Sequence, residues 1–355
     1  MGNWEQNVRR VTPYVPGEQP KQENIIKLNT NENPYPPSPA LKKAWQQMDL
    51  EKMRLYPDPA ASELVTAIAE TYGVKESQVF AGVGSDDVLA MAFLTFFNSE
   101  RPILFPDITY SFYDVWAELF RIPYRQIPLN DRFEIIKEDY FAENGGIVFP
   151  NPNAPTGVEL PVSDIEAIIA ANQNTVVIVD EAYVDFGTIS VLPLIEKYDN
   201  LLVVQTFSKS RSLAGLRIGY AFGSEKLIKY LNDAKYSFNS YTMSRPSVLM
   251  GAAVVRDQEY FTETIHKIIS TRERMKKELA GLGFVFADSK SNFLFVTHPQ
   301  YSAKELFAQL KEAGIFVRYF EKPRIDRYLR ITVGTDEEMD CLLNFLKEKC
   351  TGVFL

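Results

Sequence analysis

Short apolar runs recur along the first two thirds of the chain: VFAGVG (79–84), PILF (102–105), GIVFPN (146–151), TVVIVDE (175–181), LLVVQTF (201–207) and LRIGYAFG (216–223). Most are apolar without alternation, as expected of strands covered on both faces. Between them, SDDVLAMAFLTFF, YSFYDVWAELF and SDIEAIIAA space their apolar residues as helices do. Strands alternating with helices build an α/β sheet with crossovers, and ligands then gather at the carboxyl ends of the strands. The last third reads differently. A helical stretch from about Ser247 to Leu282 leads to NFLFV (292–296), a capping box at Ser302 with Glu305, IFVRYF (315–320), YLRITVG (328–334) and a last helix opened by Thr335 with Glu338. That is a smaller α+β unit. Pro13, Pro16, Pro20, Pro34, Pro36, Pro37 and Pro39 rule out long helices in the first 40 residues and predict an extended arm. These shifts divide the chain into an arm (1–45), a large α/β domain (46–250) and a C-terminal small domain (251–355).

Composition narrows the function classes. A formal charge of −8 over 355 residues, with no long basic run, argues against a nucleic-acid surface. The longest apolar stretch, VLAMAFLTFF (88–97), is half of the roughly 20 residues a bilayer span needs, and MGNWEQNVRR lacks the apolar core of a signal peptide. No membrane partner is expected. Cys341 and Cys350 cannot form a disulfide framework, and with His266 and His298 the only histidines no zinc-ligand spacing can be assembled. A reducing, cytoplasmic setting fits.

The polar residues at the strand ends carry the candidate chemistry. GVGSDD (82–87) ends a strand and opens a helix, where free N–H groups and the helix dipole suit a phosphate; read alone, it is equally a tight turn capped by Ser85. It is not the dinucleotide fingerprint, because Asp87 stands where the third glycine should be. In IVDEAY (178–183), Asp180 closes an apolar strand, where a carboxylate is costly to bury unless a cation answers it or it caps the next helix. A protonated heterocyclic nitrogen could be that cation, and Tyr183 would lie near the same point. NPNAPTG (151–157) is a rigid, amide-rich turn, either a plain loop or a ligand contact. QTFSKSRSLAGLRIGY (205–220) sets Lys209 at the end of another strand, with Thr206, Ser208 and Arg217 around it. A neutral lysine is a nucleophile whose commonest covalent partner is an aldehyde, while two hydroxyls and a guanidinium suit a phosphate monoester. An aldehyde carrying a phosphate and a basic ring nitrogen is pyridoxal 5'-phosphate, with Asp180 keeping the ring protonated.

With these motifs the chain resembles, over nearly its whole length, the fold-type-I pyridoxal-phosphate aminotransferases, and within them the histidinol-phosphate subfamily. The resemblance implies a mostly parallel seven-stranded sheet in the large domain. It implies Lys209 as the cofactor lysine and proton shuttle, with Thr206, Ser208 and Arg217 on the cofactor phosphate and Ser85 and Asp86 contributing backbone contacts. DITYSFY puts Tyr110 where the family stacks an aromatic on the pyridine ring; DEAY puts Asp180 on its nitrogen and Tyr183 on its phenolic oxygen. RLYPDP puts Tyr56 where a tyrosine reaches the neighbouring subunit's cofactor, which implies a homodimer with shared active sites. VTPYVPG places Tyr14 over the substrate, LNTNENPYPPSP is the entry segment with Asn31 at the substrate, and Arg318 and Arg330 hold the substrate's anionic end. The asparagine the wider family carries just before Pro-Thr-Gly is Ala154 here, and Asn153, one residue away, is the candidate to replace it.

The activity implied is ping-pong transamination between L-histidinol phosphate and 2-oxoglutarate, an amino donor and a 2-oxo acid that each present an anion to one arginine cluster. Alternatives are a threonine-phosphate decarboxylase or an aromatic amino acid aminotransferase on the same scaffold, a non-catalytic aminotransferase-like regulatory domain, which would need a DNA-binding module this arm cannot form, and a nicotinamide enzyme, which lacks its fingerprint.

Overall fold

The structure, a computed structural model, describes residues 2–22 and 24–351. After a 3-10 turn (Asn3–Asn7), residues 9–22 form no regular element, and strand β1 spans Ile26–Lys27. Helix α1 (Pro39–Gln47) has proline in its first turn and is capped by Ser38; α2 (Ser62–Tyr72) stops at Gly73, whose left-handed conformation suits a glycine. Strands and helices then follow one another: β2 (Val79–Gly82), α3 (Ser85–Phe96), β3 (Ile103–Pro106), α4 (Tyr113–Phe120), β4 (Tyr124–Ile127), β5 (Ile147–Pro150), α5 (Val162–Ala171), β6 (Val177–Asp180), β7 (Leu201–Thr206), β8 (Gly219–Gly223) and α6 (Glu225–Phe238). They form a seven-stranded sheet in the order β2-β8-β7-β6-β5-β3-β4, parallel from β7 to β4, with β8 running against its neighbours β2 and β7.

Consecutive strand residues serve opposite cores, which is why these runs are apolar throughout. Val177 and Val179 of β6 join Phe149, Ile165 and Ile168 on one face, while Ile178 joins Val148, Phe105 and Trp116 on the other. The β4 strand has no counterpart among the apolar runs of the sequence: it is an edge strand, and Tyr124, Arg125 and Gln126 are exposed.

The helical stretch expected from 247 to 282 is two helices, α7 (Arg245–Arg256) and α8 (Gln258–Gly281). Asp257 breaks it: its backbone leaves the helical region and its carboxylate accepts from Tyr260 N to start the second helix. The C-terminal unit adds β9 (Val285–Phe286), β10 (Phe293–Thr297), α9 (Ala303–Glu312), β11 (Ile315–Phe316), β12 (Arg318–Tyr319), β13 (Leu329–Thr332) and α10 (Asp336–Thr351). Its antiparallel sheet has the order β12-β13-β10-β9. IFVRYF therefore splits in two. Ile315 and Phe316 pair in parallel with the arm's β1, whereas Arg318 and Tyr319 pair with β13, and buried Val317 sits at the switch. The expected capping box at Thr335 and Glu338 is reciprocal, at 2.8 and 3.3 Å; at α9 the Ser302 hydroxyl accepts from Glu305 N at 3.4 Å.

Candidate active site

The carboxyl ends of β5, β6 and β7 and the β2–α3 turn converge on one side of the sheet, around two adjoining cavities of about 200 and 150 Å³. Lys209, just past β7, lines both, as do Tyr110, Ala154 and Tyr183. Its Nζ donates to the carbonyl of Thr30 at 3.0 Å and lies 5.8 Å from the centre of the Tyr183 ring.

The larger cavity fits a phosphate at one end. Gly84 has φ +87°, and a Cβ there would fall 2.5 Å from Arg217 Nη2, so glycine is what lets the arginine close over the start of α3. Ser85 contributes to the wall from the first turn of α3; the N-cap position is Gly84 rather than Ser85. Opposite lie the hydroxyls of Thr206 and Ser208, 3.0 Å apart. Arg217 Nη2 donates to Asp86 Oδ2 at 3.1 Å, and Asp86 Oδ1 accepts from Tyr110 OH at 2.7 Å, so the Asp86 side chain orients two expected cofactor contacts.

At the other end, Asp180 is 4% exposed and accepts hydrogen bonds from Tyr113 OH (3.0 Å) and Ala182 N (3.1 Å). Among the described residues no lysine, arginine or histidine forms an ion pair with it. Burial pushes its pKa up to about 6, against the pull of those two donors. A buried carboxylate with this deficit, facing a cavity whose opposite end is built for a phosphate, fits the protonated ring nitrogen of pyridoxal 5'-phosphate.

The smaller cavity is the anion end. Arg330 donates from Nη2 to Asn29 O at 3.0 Å, its Nε is buried without a partner, and desolvation above all, with repulsion from Arg318, lowers its pKa. Arg318, Asn31 and Tyr14 line the same space. Asn31, with φ +56°, donates from Nδ2 to Tyr183 OH at 2.9 Å, and the Tyr14 ring stacks on Phe112 at 4.2 Å.

Two expected residues stand elsewhere. Asn153 lines neither cavity: its Nδ2 donates to Ile108 O and Thr156 Oγ1, and its Oδ1 accepts from Thr109 Oγ1. In this structure the Asn153 amide holds the 151–157 turn and does not reach either cavity, whereas Ala154, Tyr183 and Asn31 line them: Ala154 and Tyr183 both, Asn31 the smaller. Tyr56 is 79% exposed, stacks on Tyr241 at 4.7 Å, and also lies outside both cavities of its own chain. Several contacts escaped the sequence reading: Tyr113 on Asp180, Phe112 under Tyr14, Phe320 beside the arginines, and the carbonyls of Asn29 and Thr30. The aromatics carried a weak signal in their places within YSFYDVW and IFVRYF; the carbonyls carried none.

A lysine between a cavity wall suited to a phosphate, an uncompensated carboxylate and a pair of arginines fits the covalent attachment of a phosphorylated aldehyde cofactor. Residues 23–346 match the class I and II aminotransferase family, and the chain belongs to it. It is 53% identical over 346 residues to the histidinol-phosphate aminotransferase of Lactococcus lactis subsp. cremoris (strain SK11), covering 98% of this chain and 97% of that one. The histidinol-phosphate aminotransferase of Acinetobacter baylyi is likewise 53% identical, over 350 residues, 98% of this chain and 97% of the relative. The crystal structure of histidinol-phosphate aminotransferase from Sinorhizobium meliloti in complex with pyridoxal-5'-phosphate superposes with a TM-score of 0.83 at 26% identity, covering 92% of this chain and 91% of that one.

Proposed function

We propose that the chain is a pyridoxal-phosphate-dependent aminotransferase that converts L-histidinol phosphate and 2-oxoglutarate to imidazole acetol phosphate and L-glutamate in histidine biosynthesis. The observation that carries the substrate reading is the pair Arg318 and Arg330, which line the cavity beside Lys209 with no carboxylate partner among the described residues. A substrate that ends in a phosphate or a carboxylate supplies the missing charge.

Ser85, Thr206, Ser208 and Arg217 would hold the cofactor phosphate, Tyr110 its ring and Asp180 its nitrogen. Bound there, the cofactor supplies an aldehyde for covalent attachment and an electron-withdrawing ring. Lys209 Nζ leaves the Thr30 carbonyl, takes the proton from the substrate α-carbon and later returns one. Asp180 keeps a proton at the ring nitrogen, Tyr183 positioned by Asn31 donates at the phenolic side, and Tyr14 covers the substrate and excludes water.

Tyr56 stands outside its own chain's site, which supports a homodimer in which it reaches the cofactor phosphate of a second copy. An arm of 1–45, a large domain, a small domain and a cytoplasmic location complete the reading; the boundary expected at 250/251 moves to the end of α7, because that helix runs unbroken from Arg245 to Arg256 and its Ala252, Val254 and Val255 pack in the large-domain core. Among the described residues no helix is long and apolar enough to cross a membrane.

The test is a substrate panel with a lysine control. Purified enzyme should turn over histidinol phosphate with 2-oxoglutarate far faster than phenylalanine or threonine phosphate, and Lys209→Ala should still bind the cofactor but transaminate none of them. A preference for phenylalanine would select the aromatic aminotransferase, release of carbon dioxide from threonine phosphate the decarboxylase, and turnover by Lys209→Ala well above free cofactor would remove Lys209 from its role.

A further inference from the structure

Arg318 and Arg330 are directly opposed across the β12–β13 pair, so their side chains leave the same face of the strands. Each is a fixed positive charge, and no ion pair answers either one among the described residues. Among the described residues Arg330 gives one hydrogen bond, to Asn29 O, and Arg318 gives none. Two such groups repel each other, so something other than a carboxylate must make their proximity tolerable. Phe320 comes directly after β12 and lies beside both arginines. Its ring centre lies 5.5 Å from the guanidinium carbon of Arg318 and 5.5 Å from that of Arg330; Arg330 also lies 5.3 Å from the Phe293 ring, so Phe320 is the ring the two arginines share.

The electron-rich face of an aromatic ring attracts a cation without occupying its N–H groups. A carboxylate in the same place would satisfy the arginines and close them to an incoming anion. The ring is also backed by neighbours. Phe295 meets it near edge-on at 6.4 Å and itself stacks on Tyr328 at 4.5 Å with planes 10° apart. Phe320 is therefore a braced platform that lines the substrate cavity and touches both of its cations.

Resting on the phosphorylated-substrate reading above, we propose that Phe320 is the positioning residue of a two-arginine clamp, holding both guanidiniums with their N–H groups toward the cavity so that a phosphate dianion is favoured there over a carboxylate. A carboxylate has one charge and can be served by Arg330 alone. A dianion needs both arginines at once, so it loses most when the shared platform is removed.

The experiment uses cofactor-loaded enzyme, whose own phosphate cradle is filled, titrated calorimetrically with inorganic phosphate and with acetate as the single-charge comparator. Phe320→Leu should lower phosphate affinity about tenfold and acetate affinity about twofold or less, while Phe320→Tyr, which keeps the ring face, stays within about threefold of wild type for both. In steady state Phe320→Leu should raise KM for histidinol phosphate about tenfold with kcat within about threefold, and leave KM for 2-oxoglutarate within about threefold. Phe320→Met replaces the leucine variant if that protein does not melt as wild type does. Unchanged phosphate affinity in the ring-less variants, equal losses for phosphate and acetate, a tyrosine variant as impaired as leucine, or no phosphate binding by wild type would each overturn the clamp. A selective loss of phosphate binding in an enzyme that does not use histidinol phosphate would support the clamp and reject the substrate reading.

Discussion

Asp180 has two hydrogen-bond donors and no cation, so its ionisation depends on what occupies the cavity beside it. With its pKa in the folded protein near 6 and the usual value near 3.8, the folded state keeps a proton that the unfolded chain releases between those limits. Stability of the cofactor-free protein from this group is therefore fully present below about pH 4 and lost as pH rises through 6, by on the order of 3 kcal/mol. Asp180→Asn removes the charge and keeps the bond from Ala182 N on its one amide oxygen, while its NH2 can only donate, so the Tyr113 hydroxyl turns to accept. Its melting temperature relative to wild type, measured without cofactor, should rise from pH 4 to pH 7; a difference independent of pH would mean that Asp180 is not the buried, uncompensated acid described. The same variant should lose far more turnover than cofactor occupancy, because a neutral amide cannot keep the ring nitrogen protonated. Arg330→Ala should slow both half-reactions by on the order of 2 kcal/mol or more each, since either substrate's anion loses its main partner in a partly desolvated site. Single-turnover spectra with each substrate check this, and an Arg330→Ala enzyme unimpaired with histidinol phosphate would refute the anion assignment. Side chains of this kind were legible in the sequence because titratable and hydroxyl groups at strand ends are costly there without a function. The acceptors for Lys209 and Arg330 were not legible: they are main-chain carbonyls from 179 and 301 residues away, and every residue has one.

Elements were legible where burial was uniform. β5, β6 and β7 are buried along their whole length and read as unbroken apolar runs, whereas β4 shows three polar or amphipathic residues to solvent and left no such trace. Asp257 could not be distinguished from a solvent-facing helical aspartate, although it divides α7 from α8. The meeting of β8 with the β2–α3 turn tests how tightly the phosphate cradle is built. A Cβ on Gly219 would lie 2.2 Å from the carbonyl carbon of Gly84 and 2.3 Å from Ser85 N, both backbone atoms that cannot turn aside. Gly219→Ala should therefore push the turn off β8, costing on the order of 3 kcal/mol in urea unfolding and weakening cofactor binding in equilibrium dialysis at least tenfold. A stable variant with wild-type cofactor affinity would show that the turn is looser than its contacts require.

Across the whole molecule, the exposed ring of Tyr56 offers a direct test of the proposed homodimer. Mixing Tyr56→Phe subunits with Lys209→Ala subunits should give heterodimers in which one site carries both lesions and the other neither, so activity should exceed the average of the two homodimers. Activity equal to that average would place Tyr56 in its own chain's function. The arm and β1 impose a different kind of order, one in time. Asn29, Thr30 and Asn31 are translated long before the residues that hold them: Asn31 N bonds Thr332 Oγ1, Arg330 bonds Asn29 O, and β1 pairs with Ile315 and Phe316. A nascent chain can thus complete its large sheet and phosphate cradle while the segment that holds Lys209 still lacks its anchors. A polypeptide halted before β13 would carry the seven-stranded sheet and its β2–α3 turn beside a Lys209 whose partner carbonyl, on Thr30, is not yet tied down.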